Sequence, residues 1–188
     1  MKLISTNPTR RKNKLRAAWT LMEMMVALFC GSILLAAFVS TTVLIGKTMM
    51  SVGNYNDLNR KSRVTLDWFS RDVRNASSVS SDSTSTQLTL TNTFNGTTVI
   101  VYTWDGSNVV SRASIANGVT TRFIMLTNCD TFAMNFYQRN PTNNFSFIAS
   151  ASPSQIKLVS ISWRCSRSVM GSILNTESVQ TANVVMRN

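Results

Sequence analysis

The sequence predicts an α+β fold in which a long amino-terminal helix packs on an antiparallel β-sheet. Two changes in its pattern predict this. A helical spacing of apolar residues extends from residue 19 to about residue 76, and the Ser- and Thr-rich linker 77–86 ends it. After the linker the alternation has a period of two and forms six or seven short strands with hairpin turns, as expected of an antiparallel sheet.

The first 18 residues form a basic leader, since no acidic residue occurs before Glu23. Its basic residues are Lys2, Arg10, Arg11, Lys12, Lys14 and Arg16. Lys and Arg beside a membrane segment are retained in the cytoplasm, so we expect the amino terminus there and the carboxy-terminal domain on the other side of the membrane. Beyond the leader, 13 basic and 8 acidic residues leave a net charge of +5. The formal charge of +11 therefore does not indicate a nucleic-acid-binding protein.

The helix is predicted in two halves. Residues 24–46 are 23 residues without a charge, which is enough to cross a bilayer, and residues 19–46 are assigned to the membrane half. Residues 47–76 are assigned to an amphipathic half with one apolar stripe. The stripe contains Tyr55, Leu58, Ser62, Leu66, Phe69, Val73 and Ala76. Asp57 and Lys61 form an acid-before-base pair at a spacing of four, as do Asp67 and Arg71, and each pair supports the helix by a few tenths of a kcal/mol.

Residues 77–188 are assigned to the sheet domain. The predicted strands are 87–91, 98–104, 108–113, 122–127, 131–138, 155–163 and 179–186. Asp105 and Gly106 lie between two of them, and both residue types tolerate the positive φ that a hairpin turn needs. The polar segment 139–153 contains Pro141 and Pro153 and is predicted to be a loop.

The inventory of reactive groups favours a protein without catalytic activity, metal or cofactor. The chain has no His, the commonest general base and metal ligand, and it lacks a phosphate-binding glycine loop and a nucleophile elbow. Four of its eight carboxylates, Asp82, Asp105, Asp130 and Glu177, are scattered over the sheet domain, which does not suit a calcium site.

Basic and aromatic residues of the sheet domain allow two interpretations. They are Arg112, Arg122, Arg139, Arg164 and Arg167, with Trp104, Phe145, Phe147 and Trp163 among them. They could form a nucleic-acid-binding face, or they could lie on a solvated face of the sheet. The second interpretation is favoured, because the aromatic residues do not interleave with a basic cluster.

The junction of leader and apolar run reads Ala17-Ala18-Trp19-Thr20-Leu21-Met22-Glu23-Met24-Met25-Val26-Ala27-Leu28. This order resembles the amino-terminal signature of type IV pilins and of the pseudopilins of type II secretion. In that family a prepilin peptidase cuts after a small residue, usually Gly, and the next residues read aromatic or Met, Thr, Leu, apolar, Glu. Aligning Glu23 with the family's glutamate puts the cut after Ala18. Ala18 then replaces Gly, and Trp19 replaces the usual Phe or Met as the methylated amino-terminal residue.

The resemblance implies a fold, partners and a location. Pilin-like proteins have a long amino-terminal helix whose distal half lies across an antiparallel sheet. The implied partners are the prepilin peptidase, other pilin or pseudopilin subunits, the inner-membrane assembly platform and the lipid bilayer. Residues 57–76 and the ending 182–188 look most like those of W-type minor pilins and J-type minor pseudopilins. Such a subunit would be anchored in the inner membrane and then join a periplasmic or extracellular filament, priming or capping it.

Glu23 has two interpretations. A carboxylate at the start of a membrane helix is costly unless it is neutralised. The resemblance implies that its partner is the amino group of Trp19 in an adjacent subunit, which would make Glu23 a filament-assembly residue. Otherwise Glu23 is an interfacial residue that reaches the lipid headgroups.

The three cysteines fall into two classes. Cys30 lies in the apolar run and is interpreted as a small buried hydrophobe. Cys129 and Cys165 lie in the exported domain, where an oxidising periplasm permits a disulfide. If strands 131–138 and 155–163 pair with Tyr137 opposite Lys157, the same register places Cys129 opposite Cys165. The alternative is two unrelated buried thiols.

Together these observations predict a structural minor pilin or pseudopilin. Within the family the alternative is a main fibre subunit. Outside it, the alternative is a membrane-tethered periplasmic binding module that does not polymerise. The tethered module would not be cut by the peptidase and would tolerate the loss of Glu23.

Overall fold

The computed structural model describes residues 20–94, 96–143, 145–150, 152–169, 171 and 176–187. The chain divides into two compact units, the first ending at Ile45 and the second beginning at Gly46. Helix α1 (Leu21–Asn75) has 55 residues and contributes to both units. The predicted long helix is therefore confirmed.

The first half of α1 is exposed along its whole length. Every described residue up to Ile45 is exposed, and an 18-residue window of the helix has a mean hydropathy of 2.3. Length and composition make this half compatible with a single membrane span.

The second half of α1 buries one stripe in the folded domain. Its buried residues are Leu58, Ser62, Thr65, Phe69, Asp72 and Val73. Most of the predicted stripe is confirmed, but Tyr55 is 45% exposed and Leu66 is only partly buried. Thr65 and Asp72 take part instead, so the buried stripe is more polar than the apolar spacing predicts.

Within the described residues there are nine strands, all paired antiparallel. They are β1 (Ser78–Val79), β2 (Gln87–Asn92), β3 (Thr98–Trp104), β4 (Val110–Ala116), β5 (Val119–Leu126), β6 (Cys129–Arg139), β7 (Phe147–Ala149), β8 (Ile156–Ser166) and β9 (Glu177–Val185). They form two sheets, with orders β1-β2-β3-β4-β5 and β7-β6-β8-β9. The α+β class with a helix on antiparallel sheet is confirmed. The expectation of a single sheet is wrong.

The sheets separate between β5 and β6, where Asn128 has a φ of 60°. After this turn, β6 pairs with β8 and not with β5. The predicted linker and loop also contribute strands, since β1 lies within 77–86 and β7 within 139–153. Both are only two or three residues long, which is too short to give a visible alternation in the sequence.

The core lies between the buried stripe of α1 and the two sheets. The ring of Phe69 meets the ring of Tyr102 edge to face, with centroids 5.5 Å apart. Trp104 of the first sheet contacts Phe132 of the second at a centroid distance of 6.1 Å. Burying a side chain such as Phe69 contributes about 1.5–3 kcal/mol, so the buried stripe of α1 holds the amphipathic half of the helix against the sheets.

The turn between β3 and β4 is held by Asp105. Its Oδ1 accepts hydrogen bonds from the backbone N–H groups of Ser107, Asn108 and Val109, at 2.8–2.9 Å. These bonds lower the pKa of Asp105 to about 2, so the carboxylate is ionised at neutral pH. Gly106 has a φ of 82°, as the predicted turn requires. The loop is longer than predicted, because β4 begins at Val110.

Candidate functional site

The amino-terminal end of α1 is closed by a reciprocal capping box. The backbone N–H and the hydroxyl of Thr20 both donate to Oε2 of Glu23, at 2.8 and 3.0 Å. In return, the backbone N–H of Glu23 donates to Oγ1 of Thr20 at 3.2 Å. Thr at the N-cap with Glu three residues later is the sequence signature of this motif, and it starts the helix at Leu21. Glu23 therefore has a structural role within its own chain.

The other predicted residues at this end are placed as follows. Ala18 and Trp19, the predicted cleavage and methylation site, lie outside the described residues. Cys30 is exposed on the apolar half of α1, so the interpretation of Cys30 as a small buried hydrophobe stays a prediction that depends on what covers this half. Its thiol therefore contacts the environment of the exposed half of α1, such as lipid in the case of a membrane span.

The amphipathic half of α1 is fixed to the four-stranded sheet at Ser62. Nε1 of Trp163 donates to Oγ of Ser62 at 3.2 Å, and Oγ of Ser178 donates to the same oxygen at 3.4 Å. Trp163 is 2% exposed. A buried indole N–H needs a partner, which explains why a serine occupies this position of the stripe.

A buried ion pair fixes the same helix to the five-stranded sheet. Oδ2 of Asp72 accepts from Nε of Arg112 at 2.7 Å and from the hydroxyl of Tyr102 at 2.6 Å. The guanidinium of Arg112 also lies 4.9 Å from the ring centroid of Trp68. Asp72 and Arg112 are each 7% exposed. The cluster joins one helix and two strands through a single carboxylate oxygen.

The charges of this cluster perturb its members. Burial raises the pKa of Tyr102 far above its usual value, and the charge of Asp72 adds to the effect. Burial alone would lower the pKa of Arg112, but the hydrogen bond and charge of Asp72 outweigh it and raise that pKa. Arg112 and Tyr102 therefore keep their protons at neutral pH. The cluster holds α1 on the five-stranded sheet, and none of its three groups is poised for proton transfer.

Burial removes two residues from the basic and aromatic set of the sheet domain. Arg112 and Trp163 are buried, so they belong neither to a nucleic-acid-binding face nor to a solvated face of the sheet. Spacing gives the missed signal: Asp72 follows Leu58, Ser62, Thr65 and Phe69 at steps of three and four. A carboxylate on a buried stripe requires a basic partner from the sheet.

Cys129 and Cys165 are joined by a disulfide between β6 and β8. They face each other in the register, and both are buried. The predicted pairing of Tyr137 with Lys157 is wrong, because Tyr137 lies opposite Leu158. A bulge between Cys129 and Thr131 shifts the pairing by one residue as far as Tyr137, and a second irregularity between Tyr137 and Gln138 shifts it back. The pairing of Cys129 with Cys165 keeps the predicted register, because it lies before that bulge.

We expect this disulfide in protein isolated without a reducing agent. Closing a loop with a sequence separation of 36 residues should stabilise the domain by about 3–4 kcal/mol in the chain-entropy model. Peptide mapping by mass spectrometry without reduction should recover Cys129 and Cys165 in one linked species, with Cys30 as a free thiol for comparison. Free thiols at both positions would contradict the expectation.

The described residues contain no group of three His, Cys, Asp or Glu that could hold a metal ion. Comparisons with protein-family models, with curated proteins and with solved structures find no match for this chain. Its function is therefore inferred from its own residues and their geometry.

Proposed function

We propose that this chain is a structural subunit of a type IV filament, either a minor pilin or a pseudopilin. In this proposal a prepilin peptidase cuts between Ala18 and Trp19, and Trp19 is then methylated. The mature chain stays in the inner membrane with its domain in the periplasm until the assembly platform adds it to the filament, where it primes or caps the fibre. The carrying observation is the division of α1 into an exposed apolar half and a half that builds the domain core.

The exposed half of α1 carries apolar side chains that require an apolar environment. All of its described residues up to Ile45 are exposed, and the helix contains an 18-residue window with a mean hydropathy of 2.3, so contact of this half with water is unfavourable. A bilayer covers it as an anchor, and the helices of neighbouring subunits would cover it in a filament. A chain built for both environments needs its domain on the other half of the helix, which is the arrangement observed.

The capping box is compatible with this role. Both bonds from Thr20 end on Oε2 of Glu23. A carboxylate has two oxygens with about four acceptor positions, so capacity remains for the ammonium group of another chain. The box also holds the carboxylate at the amino-terminal end of the helix, where the incoming amine of Trp19 would lie.

The tethered binding module remains the second candidate. The same capping box favours it, because the box explains Glu23 without any neighbouring subunit. The two candidates differ in what they require of the leader and of the charge on Glu23.

We expect the mature wild-type protein in filaments. Shearing the filaments from cells or spheroplasts and fractionating them against membranes should recover this chain with the other subunits. As a minor subunit, it should be present in small amounts relative to the main fibre protein. Retention of the whole population in the membrane fraction, while filaments form normally, would contradict the proposal and favour the tethered module.

A further inference from the structure

Strand β5 forms an edge of the five-stranded sheet, because in the described chain it pairs with β4 alone. Six successive residues, from Val119 to Ile124, are exposed. Natural sheets protect their edges with short strands, charges or proline. The opposite edge, β1, has only two residues, whereas β5 has eight with Arg122 as its one charge. The β5 edge is therefore long and poorly protected.

An apolar cleft runs between this edge and α1. It has a volume of about 390 Å³. Its helix wall contains Val64 and Trp68, which are 48% and 38% exposed, and its strand wall contains Phe123 and Ile124, which are 54% and 66% exposed. Four large apolar side chains around one cleft, beside an open strand edge, are typical of a surface that binds a partner.

The rim of the cleft is basic. Its lining includes Arg60, Lys61 and Arg112 and no acidic residue. Lys61 already pairs with Asp57 at 3.3 Å, and Arg112 pairs with Asp72. Arg60 is exposed and makes no ion pair among the described residues. A carboxylate that approaches the cleft would therefore meet Arg60.

We propose that the β5 edge and this cleft bind an extended segment of another protein that carries both apolar and acidic residues on the face turned toward α1. The segment adds to β5 as an antiparallel strand, so that its backbone bonds to the free edge. Apolar side chains on the face toward α1 fill the cleft between Trp68 and Phe123, and a carboxylate lies on the same face. That carboxylate pairs with Arg60.

Charge decides between this occupant and two others. The chain's own leader has six basic residues and no acidic one, so the rim would repel it. A second copy of the chain would bring its own β5, with Arg122, against the same basic rim. An acidic segment is attracted both by the basic rim of the cleft and by Arg122 of β5. The cleft lies wholly within the unit that begins at Gly46, so the inference does not depend on filament assembly.

The test measures peptide binding to the full-length protein in detergent micelles by fluorescence anisotropy. The probe is a labelled eight-residue peptide, Thr-Val-Thr-Glu-Thr-Val-Thr-Glu, in which valine and glutamate share one face of the strand. One control peptide has lysine in place of glutamate, and another is N-methylated at every peptide bond and cannot donate to the strand edge. We expect binding of the glutamate peptide, binding at least about fivefold weaker for the lysine peptide, and loss of binding for the N-methylated one.

Matched variants locate the site. Arg60→Glu should weaken the glutamate peptide by about fivefold, because an attractive exposed pair becomes repulsive. Arg63→Glu makes the same change on an exposed residue of the same helix outside the cleft and should leave binding unchanged. Hydrogen exchange should slow at 119–124 when the peptide binds. Equal effects of the two variants, equal binding of the three peptides, or no binding at millimolar concentration would overturn the proposal.

Discussion

Replacing Asp72 with alanine should destabilise the folded domain by about 3 kcal/mol. The substitution leaves the guanidinium of Arg112 buried without its counter-ion and the hydroxyl of Tyr102 without its acceptor. Breaking a buried ion pair by removing one partner costs about 3–5 kcal/mol. The lower end of that range applies because Arg112 borders the open cleft, where it can regain some hydration. Urea unfolding of the full-length protein in detergent, followed by tryptophan fluorescence, measures the loss.

Two further variants make the Asp72 result specific. Asp67→Ala removes a carboxylate that is exposed on the same helix and should change the free energy of unfolding by less than about 0.5 kcal/mol. Combining Asp72→Ala with Arg112→Met removes both charges and should restore part of the lost stability, since a buried pair can be replaced by apolar groups at small cost. A small and equal loss for Asp67→Ala and Asp72→Ala would show that the pair does not hold the helix to the sheet.

Glu23→Ala should abolish entry into filaments while the subunit accumulates in the membrane. The substitution makes the helix more apolar, so membrane insertion should be unharmed. If the carboxylate of Glu23 pairs with the amino group of Trp19 in a neighbouring subunit, removing the carboxylate leaves the positive charge of that amino group unpaired in an apolar filament core. The cost is several kcal/mol for each contact. The measurement is recovery in sheared filaments relative to membranes.

Other substitutions separate docking from helix capping. Glu23→Gln keeps a side chain that can close the capping box but removes its charge. Thr20→Ala removes the capping partner and keeps the charge. Docking predicts that Glu23→Gln fails to enter filaments and that Thr20→Ala enters them, with Glu23→Asp between the two. The opposite order would mean that Glu23 acts only as a cap, and the tethered module would then be favoured.

The long helix and most strands could be predicted because their signals are local. The helical spacing from residue 19 onward gave α1 to within two residues at each described end, and period-two alternation located β2 and β3 closely. The turn between β4 and β5 also has a local signal. Asn117 and Gly118 both have positive φ, as a two-residue hairpin turn requires, and Asn-Gly is a strong sequence signal for it.

Other features depend on contacts between distant segments and have no local signal. The bulge beside Cys129 shifts the register of β6 against β8 by one residue, and a period of two cannot reveal where one residue is left unpaired. The partner of Asp72 lies 40 residues away in the chain, and the six arginines of the sheet domain are equivalent candidates on composition alone. Only the strand order brings Arg112 under the helix.

The amino terminus of the mature protein tests the central proposal most directly. Intact-mass analysis of the protein purified from its native membrane, with fragmentation of the amino-terminal end, identifies the first residue and its modification. We predict that the 18-residue leader is absent and that the chain begins at a methylated Trp19. A mature protein that begins at Met1, or at a residue beyond the apolar run of 24–46, would contradict the assignment to a type IV filament.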